Sequence, residues 1–149
     1  MTGAKATVSD STEQRSAEPK MLAALEARLG IALSRKSVSV PNGSRVEIDG
    51  VSEAPLVLCE ACAHYGPTKA GQTRKIIADA FKLLYAEKLM GAPARKIVLL
   101  ADEEAAAHFR GQSWVAEAFR TLGVEVEVVY LSFKLQERVR KAQRRQFTT

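Results

Sequence analysis

The stretch RVEIDGVSEAPLVLCEAC, Arg45 to Cys62, decides how the rest of the chain is read. It predicts two short strands joined by a turn around Gly50–Pro55. Each strand places a carboxylate where a packed strand is normally apolar. Val46, Ile48 and Val51 surround Asp49, and Leu56, Val57, Leu58 and Cys59 lead straight into Glu60. By the period of two, Glu47 and Asp49 share one face while Val46 and Ile48 share the other. The run from Pro55 to Ala63 is almost continuously apolar, as in a central strand covered on both faces, so Glu60 is the least expected charge in the chain. An ionised carboxylate is expensive to bury unless it is paired or holds a metal. Two such acids on adjacent strands suggest a site for a hard cation. The alternative is that Glu60 ends its strand at the surface and Asp49 belongs to a turn.

Working outward, SVSVPNGSRVEID (residues 37–49) predicts a hairpin. Val38 and Val40 alternate with serines, and Asn42-Gly43 accepts the positive φ that a tight turn demands. Upstream, Met21, Leu22, Leu25, Leu29 and Leu33 recur at helical spacing, with Pro19 suited to the first helical position. Residues 1–18 are small and polar and are expected to form a disordered arm. Downstream, YGPTKAG (65–71) is a turn cluster. Gln72 to Leu89 then predicts a long helix with Ile76, Ile77, Ala80, Phe81, Leu84 and Tyr85 on its apolar face. Gln72, Lys75, Asp79 and Lys82 fall within a narrow arc on the other side, which is either a solvated stripe or a set of groups overlooking the acids. Gly91 and Pro93 end that helix. KIVLLA (96–101) reads as a buried strand. A helix to Leu122 begins at about Glu103 or Ser113, with Asp102 as a cap, and VEVEVVY (124–130) follows as a strand with one wet face. The strand–helix–strand unit favours parallel pairing of these two strands. Leu135, Val139 and Ala142 line one side of a terminal helix.

Asp49 on one strand, then Glu60-Ala61-Cys62 on the next, then a Gln-bearing helix, resembles the PD-(D/E)XK, or restriction-endonuclease-like, superfamily. The resemblance covers about Met21 to Ala101. It implies an α/β fold with a mixed central sheet flanked by helices: an αβββαβ core, followed here by a C-terminal αβα extension. It also implies a nuclease that hydrolyses DNA phosphodiester bonds with Mg2+ or Mn2+. Asp49, Glu60 and the carbonyl of Ala61 would hold the ion. Cys62 stands where the superfamily has its lysine. A thiol is neutral or negative and cannot replace an ammonium, so an active enzyme needs another cation: Lys75 on the long helix first, Lys69 on the loop second. Gln72 would overlook the site, and Glu26 matches the acid that some members carry on their first helix.

Composition bounds the alternatives. The chain has 149 residues, of which 46% are hydrophobic, enough for one domain with its own core. No apolar run reaches membrane-spanning length, and no signal-peptide core is seen, so a cytoplasmic protein is expected. Cys59 and Cys62 are the only cysteines and lie on opposite faces of one strand, which disfavours a disulfide framework, a redox pair or a zinc site. The net charge of +5 resides beyond residue 133, where Lys134, Arg138, Arg140, Lys141, Arg144 and Arg145 oppose Glu137 alone. Such a tail (134–149) is either a solvated helix or a nucleic-acid contact, with Arg138, Arg140, Lys141, Arg144 and Arg145 as the candidates. DEEAAAH after KIVLLA would repel phosphate, which argues against a nucleotide-binding loop there. A nuclease-fold protein without catalysis, binding nucleic acid or protein, is the competing reading, and an unrelated metal-free α/β domain is a third. A homodimer would suit duplex cleavage, although nothing in the chain requires one.

Overall fold

The computed structural model describes residues 12–147. The protein is an α/β fold. Its five-stranded mixed sheet has the order β1-β2-β3-β4-β5, formed by Ser34–Ser39, Arg45–Glu53, Leu56–Cys62, Arg95–Leu100 and Val124–Val128. The helices are α1 (Thr12–Leu29), α2 (Ala70–Met90), α3 (Glu103–Arg110), α4 (Trp114–Leu122) and α5 (Phe133–Phe147). β1, β2 and β3 form an antiparallel meander, and β3, β4 and β5 run parallel. The two parallel crossovers advance in one direction along the sheet. Crossovers of one hand then leave their helices on one face. Accordingly Ile76, Leu83, Phe109 and Phe119 of α2, α3 and α4 pack there on Leu58, Val98 and Leu100. On the other face Met21 and Leu25 of α1 and Val139 of α5 cover Cys59, Ala61, Ile97 and Leu99. β3 and β4 are thus sandwiched, which explains their unbroken apolar runs.

Several elements differ from the sequence expectations. α1 starts at Thr12, so the segment 12–18 is helical rather than part of an arm; the remainder, 1–11, lies outside the described residues. Ala17 is fully buried, and Gln14 Nε2 donates to the Ala63 carbonyl at 2.9 Å. Pro19 lies inside the helix and not at its start. The turn expected over Gly50–Pro55 is confined to Ala54-Pro55, and β2 runs through Gly50 to Glu53. The helical region after β4 is two helices. Ser113 caps the second by accepting from Ala116 N, whereas Asp102 spends its carboxylate on Gly66 N at 2.7 Å.

β2 also breaks the expected alternation. Ser34 pairs with Val51, but Lys36 pairs with Ile48, so β2 carries an extra residue in a bulge at Asp49–Gly50. Ile48 and Val51 consequently pack on the same, α2, side. Gly50 is closely packed there: a Cβ would stand 3.0 Å from Leu22 Cδ2 and 3.3 Å from Leu33 Cβ.

Candidate active site

The β2–β3 ladder stops at the pair Gly50–Cys59. Beyond it β2 pairs with β1 and β3 pairs with β4, so the two strands fork. Asp49 and Glu60 face each other across the fork and do the work of the missing ladder. Asp49 N donates to Glu60 Oε2 at 2.7 Å, and Ala61 N donates to Asp49 Oδ2 at 3.0 Å. The N–H and C=O of one residue in a strand point to the same side. The carbonyl of Ala61 is therefore turned into the fork as well.

Glu60 is only 3% exposed, and Asp49 is half-buried. Burial, then the neighbouring charge of Asp49, pushes the Glu60 carboxyl up to about 7, against the opposing pull of Lys82. Lys82 makes a direct ion pair with Glu60 Oε1. Further toward the N-terminus of α2, Lys75 Nζ donates to Asp79 Oδ2 at 3.1 Å. Burial alone would favour the neutral Lys75 amine. The sulfur of Cys62, Asp79 and then Glu18 of α1 outweigh it, and Lys75 is held protonated above its ordinary range. Burial, reinforced by Asp49, raises Asp79, while Lys75 and Lys82 draw it back. Gln72 is buried beside Cys62, whose Sγ lies 3.7 Å from Gln72 Oε1. Cys59 and Cys62 do pack on opposite faces of the sheet.

The structure therefore brings Asp49, Glu60 and the Ala61 backbone to one point, with Lys75 and Gln72 alongside Cys62. Lys69 is elsewhere, at the N-cap of α2, lining a cleft with His64 and Arg140. Glu26 lines a cleft of about 280 Å³ together with Asp49, but its Oε2 accepts from Leu33 N at 2.7 Å and so fastens the α1–β1 connection. Two groups at the site are not evident from the sequence. Lys82 lies in the expected arc of α2, but the pattern does not pair it with Glu60. Glu18, which lines the same cleft as Asp49 and acts electrostatically on Lys75, falls inside the segment expected to be an arm. Ala17, Met21 and Leu25 recur every four residues, and that spacing is the signal that the helix begins before Glu18. On α5, Arg140 stacks on Tyr65 with 4.5 Å from guanidinium to ring centre. Arg145 pairs with Glu13 at 2.7 Å, while Arg138, Lys141 and Arg144 are exposed.

The donors at the fork are hard oxygens, as Mg2+ and Mn2+ require. Among the described residues no group of three or more His, Cys, Asp or Glu side chains is arranged around a metal position. Two carboxylates suit an ion that completes its shell with water and substrate phosphate, which is how Mg2+ is usually held.

No family model, curated protein or solved structure matches this chain. Among the described residues no helix is long and apolar enough to cross a membrane.

Proposed function

We propose that the protein is a divalent-metal-dependent nuclease of the PD-(D/E)XK kind, hydrolysing DNA phosphodiester bonds at the β2–β3 fork. The observation that supports this is the meeting of Asp49 and Glu60 across unpaired strand ends, with Glu60 buried and short of positive charge. Asp49, Glu60 and the Ala61 carbonyl would hold Mg2+ or Mn2+, and the bound ion supplies charge neutralisation and an acidified water. The remaining work falls to the chain. The hydrogen bonds from Asp49 N and Ala61 N fix one oxygen of each carboxylate, so their other oxygens are presented at set positions. Lys75 supplies the cation that Cys62 cannot. A helix holds it beside Cys62, and its proton is secured by Asp79 and Glu18. Its charge then meets the negative charge that develops on phosphate in the transition state. Lys82 pairs with Glu60 Oε1, and an ion taking that oxygen would have to displace it.

A second reading has one observation in its favour: the Glu60 carboxylate already has a cationic partner in Lys82. In that case the fork is a structural relic, and the protein binds nucleic acid or another protein without cutting. A single experiment separates the two. Wild type, D49A, E60A and K75M are incubated with single-stranded, double-stranded and branched DNA in Mg2+ or Mn2+. Cleavage by wild type, reduced at least about a hundredfold in the three variants, is the outcome expected of an enzyme. Equal cleavage by all four, or none by any, overturns the nuclease reading.

A further inference from the structure

We infer that the cleft between the 63–69 connection and α5 is an oxyanion site, which takes a phosphate group of a nucleic-acid strand. The cleft holds about 450 Å³ and is lined by His64, Tyr65, Lys69, Arg140, Gln143 and Arg144, together with Gly66 and Pro67. Among the described residues its lining contains three cationic side chains and no carboxylate. Two guanidinium forks and an ammonium match the geometry and charge of phosphate better than those of a single carboxylate.

The site is held rigid. Gln143 clamps the Tyr65 backbone twice, accepting from its N at 2.8 Å and donating to its O at 2.9 Å. Gly66 N is fixed by Asp102, and the Tyr65 ring lies under Arg140. α5, the connection and the end of β4 thus form one frame. Arg140 is placed over the Tyr65 ring before any ligand arrives, so that cation adds little to the ordering cost of binding. The wall also holds two buried polar atoms that have no hydrogen-bond partner among the described residues, His64 Nδ1 and Tyr65 Oη, in residues 3% and 5% exposed. Such atoms are uncommon in a packed domain and mark a place where packing alone has not completed the structure.

Position argues for a strand over a free anion. The cleft opens at the carboxyl end of β3, where ligands of open α/β sheets collect. His64 is four residues beyond Glu60, a distance of at most about 13 Å in extended chain. A strand with one phosphate among Lys69, Arg140 and Arg144 would continue over the fork. That continuation rests on the proposed function, but phosphate binding in the cleft does not. Arg145, paired with Glu13, and the outward Arg138 and Lys141 are not part of it.

The test is binding in EDTA, where no cleavage occurs. A fluorescein-labelled single-stranded oligonucleotide is titrated with wild type, K69Q/R144Q and, as a control on the far end of α2, K88Q. Fluorescence anisotropy is read at several salt concentrations, and melting temperatures confirm folding. K69Q/R144Q should bind at least about tenfold more weakly, with a salt slope flatter by up to about 0.7, the contribution of the one phosphate held in the cleft. K88Q should match wild type. Inorganic phosphate should displace the oligonucleotide from wild type more effectively than chloride at equal ionic strength, and lose that advantage on K69Q/R144Q. Equal affinities for K69Q/R144Q and wild type overturn the inference, as does equal weakening in K88Q or a phosphate effect that ignores Lys69 and Arg144. Intact, cleft-dependent binding by a protein that never cuts DNA would leave this inference standing and sink only the nuclease.

Discussion

Helix α2 carries two ion pairs to the sheet, and they are opposites. Near its C-terminal end Glu87 reaches Lys96 of β4; in its middle Lys82 reaches Glu60 of β3. In the first pair the buried member is the lysine, its side chain 8% exposed. The acid and the amine there each make two hydrogen bonds. Glu87 Oε2 accepts from Lys96 Nζ at 2.7 Å and from Ala94 N at 2.8 Å, and Lys96 also donates to the Ala94 carbonyl at 3.1 Å. The hydrogen bond from Lys96, then that from Ala94, holds the Glu87 carboxyl below its usual range. In the second pair the buried member is the acid, and a second acid stands against it. Burial and Asp49 together outweigh Lys82, and the Glu60 carboxyl rises to about 7. One helix and one pair of residue types thus give a pair that closes its own charge and a pair that leaves negative charge to be matched. The first is architecture. The second has the unbalanced electrostatics expected of a site awaiting a cation.

Replacing the acid of each pair should therefore change stability in opposite directions. Glu60 titrates near 7 in the folded protein and at about 4.5 unfolded, so the folded state holds the extra proton between those values. Wild-type stability consequently falls as pH rises through that window. The loss is about 3 kcal/mol at about 1.4 kcal/mol for each unit. E60Q lacks the titration. In urea unfolding it should match wild type at pH 4.5 and exceed it by about 3 kcal/mol at pH 8. Parallel curves for the two proteins would mean that Glu60 is an ordinary carboxylate and that the contrast with Glu87 is void.

A cation should do part of what E60Q does. At pH 8, Mn2+ at about a hundred times its dissociation constant should stabilise wild type by about 2.7 kcal/mol, read as a rise in melting temperature. Below about pH 7 a proton competes for Glu60, and affinity should drop about tenfold for each unit. E60Q and D49N should show no such rise, while E87Q should keep it. Stabilisation that persists in E60Q would place the ion elsewhere.

At the other pair, E87A strips Lys96 of its partner. Removing one member of a fully buried pair costs about 3–5 kcal/mol. Glu87 is a quarter exposed, so water replaces part of the missing bond, and a loss of about 2 kcal/mol is expected from urea unfolding. The loss should be the same with and without Mn2+.

The contrast between the pairs is only half legible in the chain. The α/β class, the β1–β2 hairpin and the parallel β4–β5 pair follow from turn chemistry and apolar runs, and Asp49 and Glu60 stand out because each interrupts such a run. The charge balance at Glu60 is not visible, because it depends on which turn of α2 lies over β3. Periodicity places Gln72, Lys75, Asp79 and Lys82 on one arc but does not say which of them reaches the strand. Glu18 is hidden for a different reason. Small polar residues look incapable of packing, yet Gln14 and Ala17 are buried because α1 lies flat on β3, a tertiary effect that local composition does not carry. The bulge is likewise invisible in the period of two: Ile48 and Val51 share a face only because β2 gains a residue against β1.

That bulge offers the finest cut between geometry and charge. Gly50 lies beside Asp49, under α1, with room for no Cβ unless Leu22 and Leu33 give way by a few tenths of an ångström. G50A leaves every charge in place. Leu22 is flexible at its tip, so the overpacking penalty should sit at the low end, about 1 kcal/mol in urea unfolding. Relief of the clash moves β2 against α1, and Asp49 moves with it. If the site depends on the placement of Asp49 relative to Glu60, G50A should weaken Mn2+ stabilisation by more than its effect on folding explains, while the pH window of Glu60 stays near that of wild type. If unbalanced charge alone attracts the ion, G50A should bind Mn2+ as wild type does. The fork would then be a diffuse negative region, as unlike a catalytic centre as the Glu87–Lys96 pair.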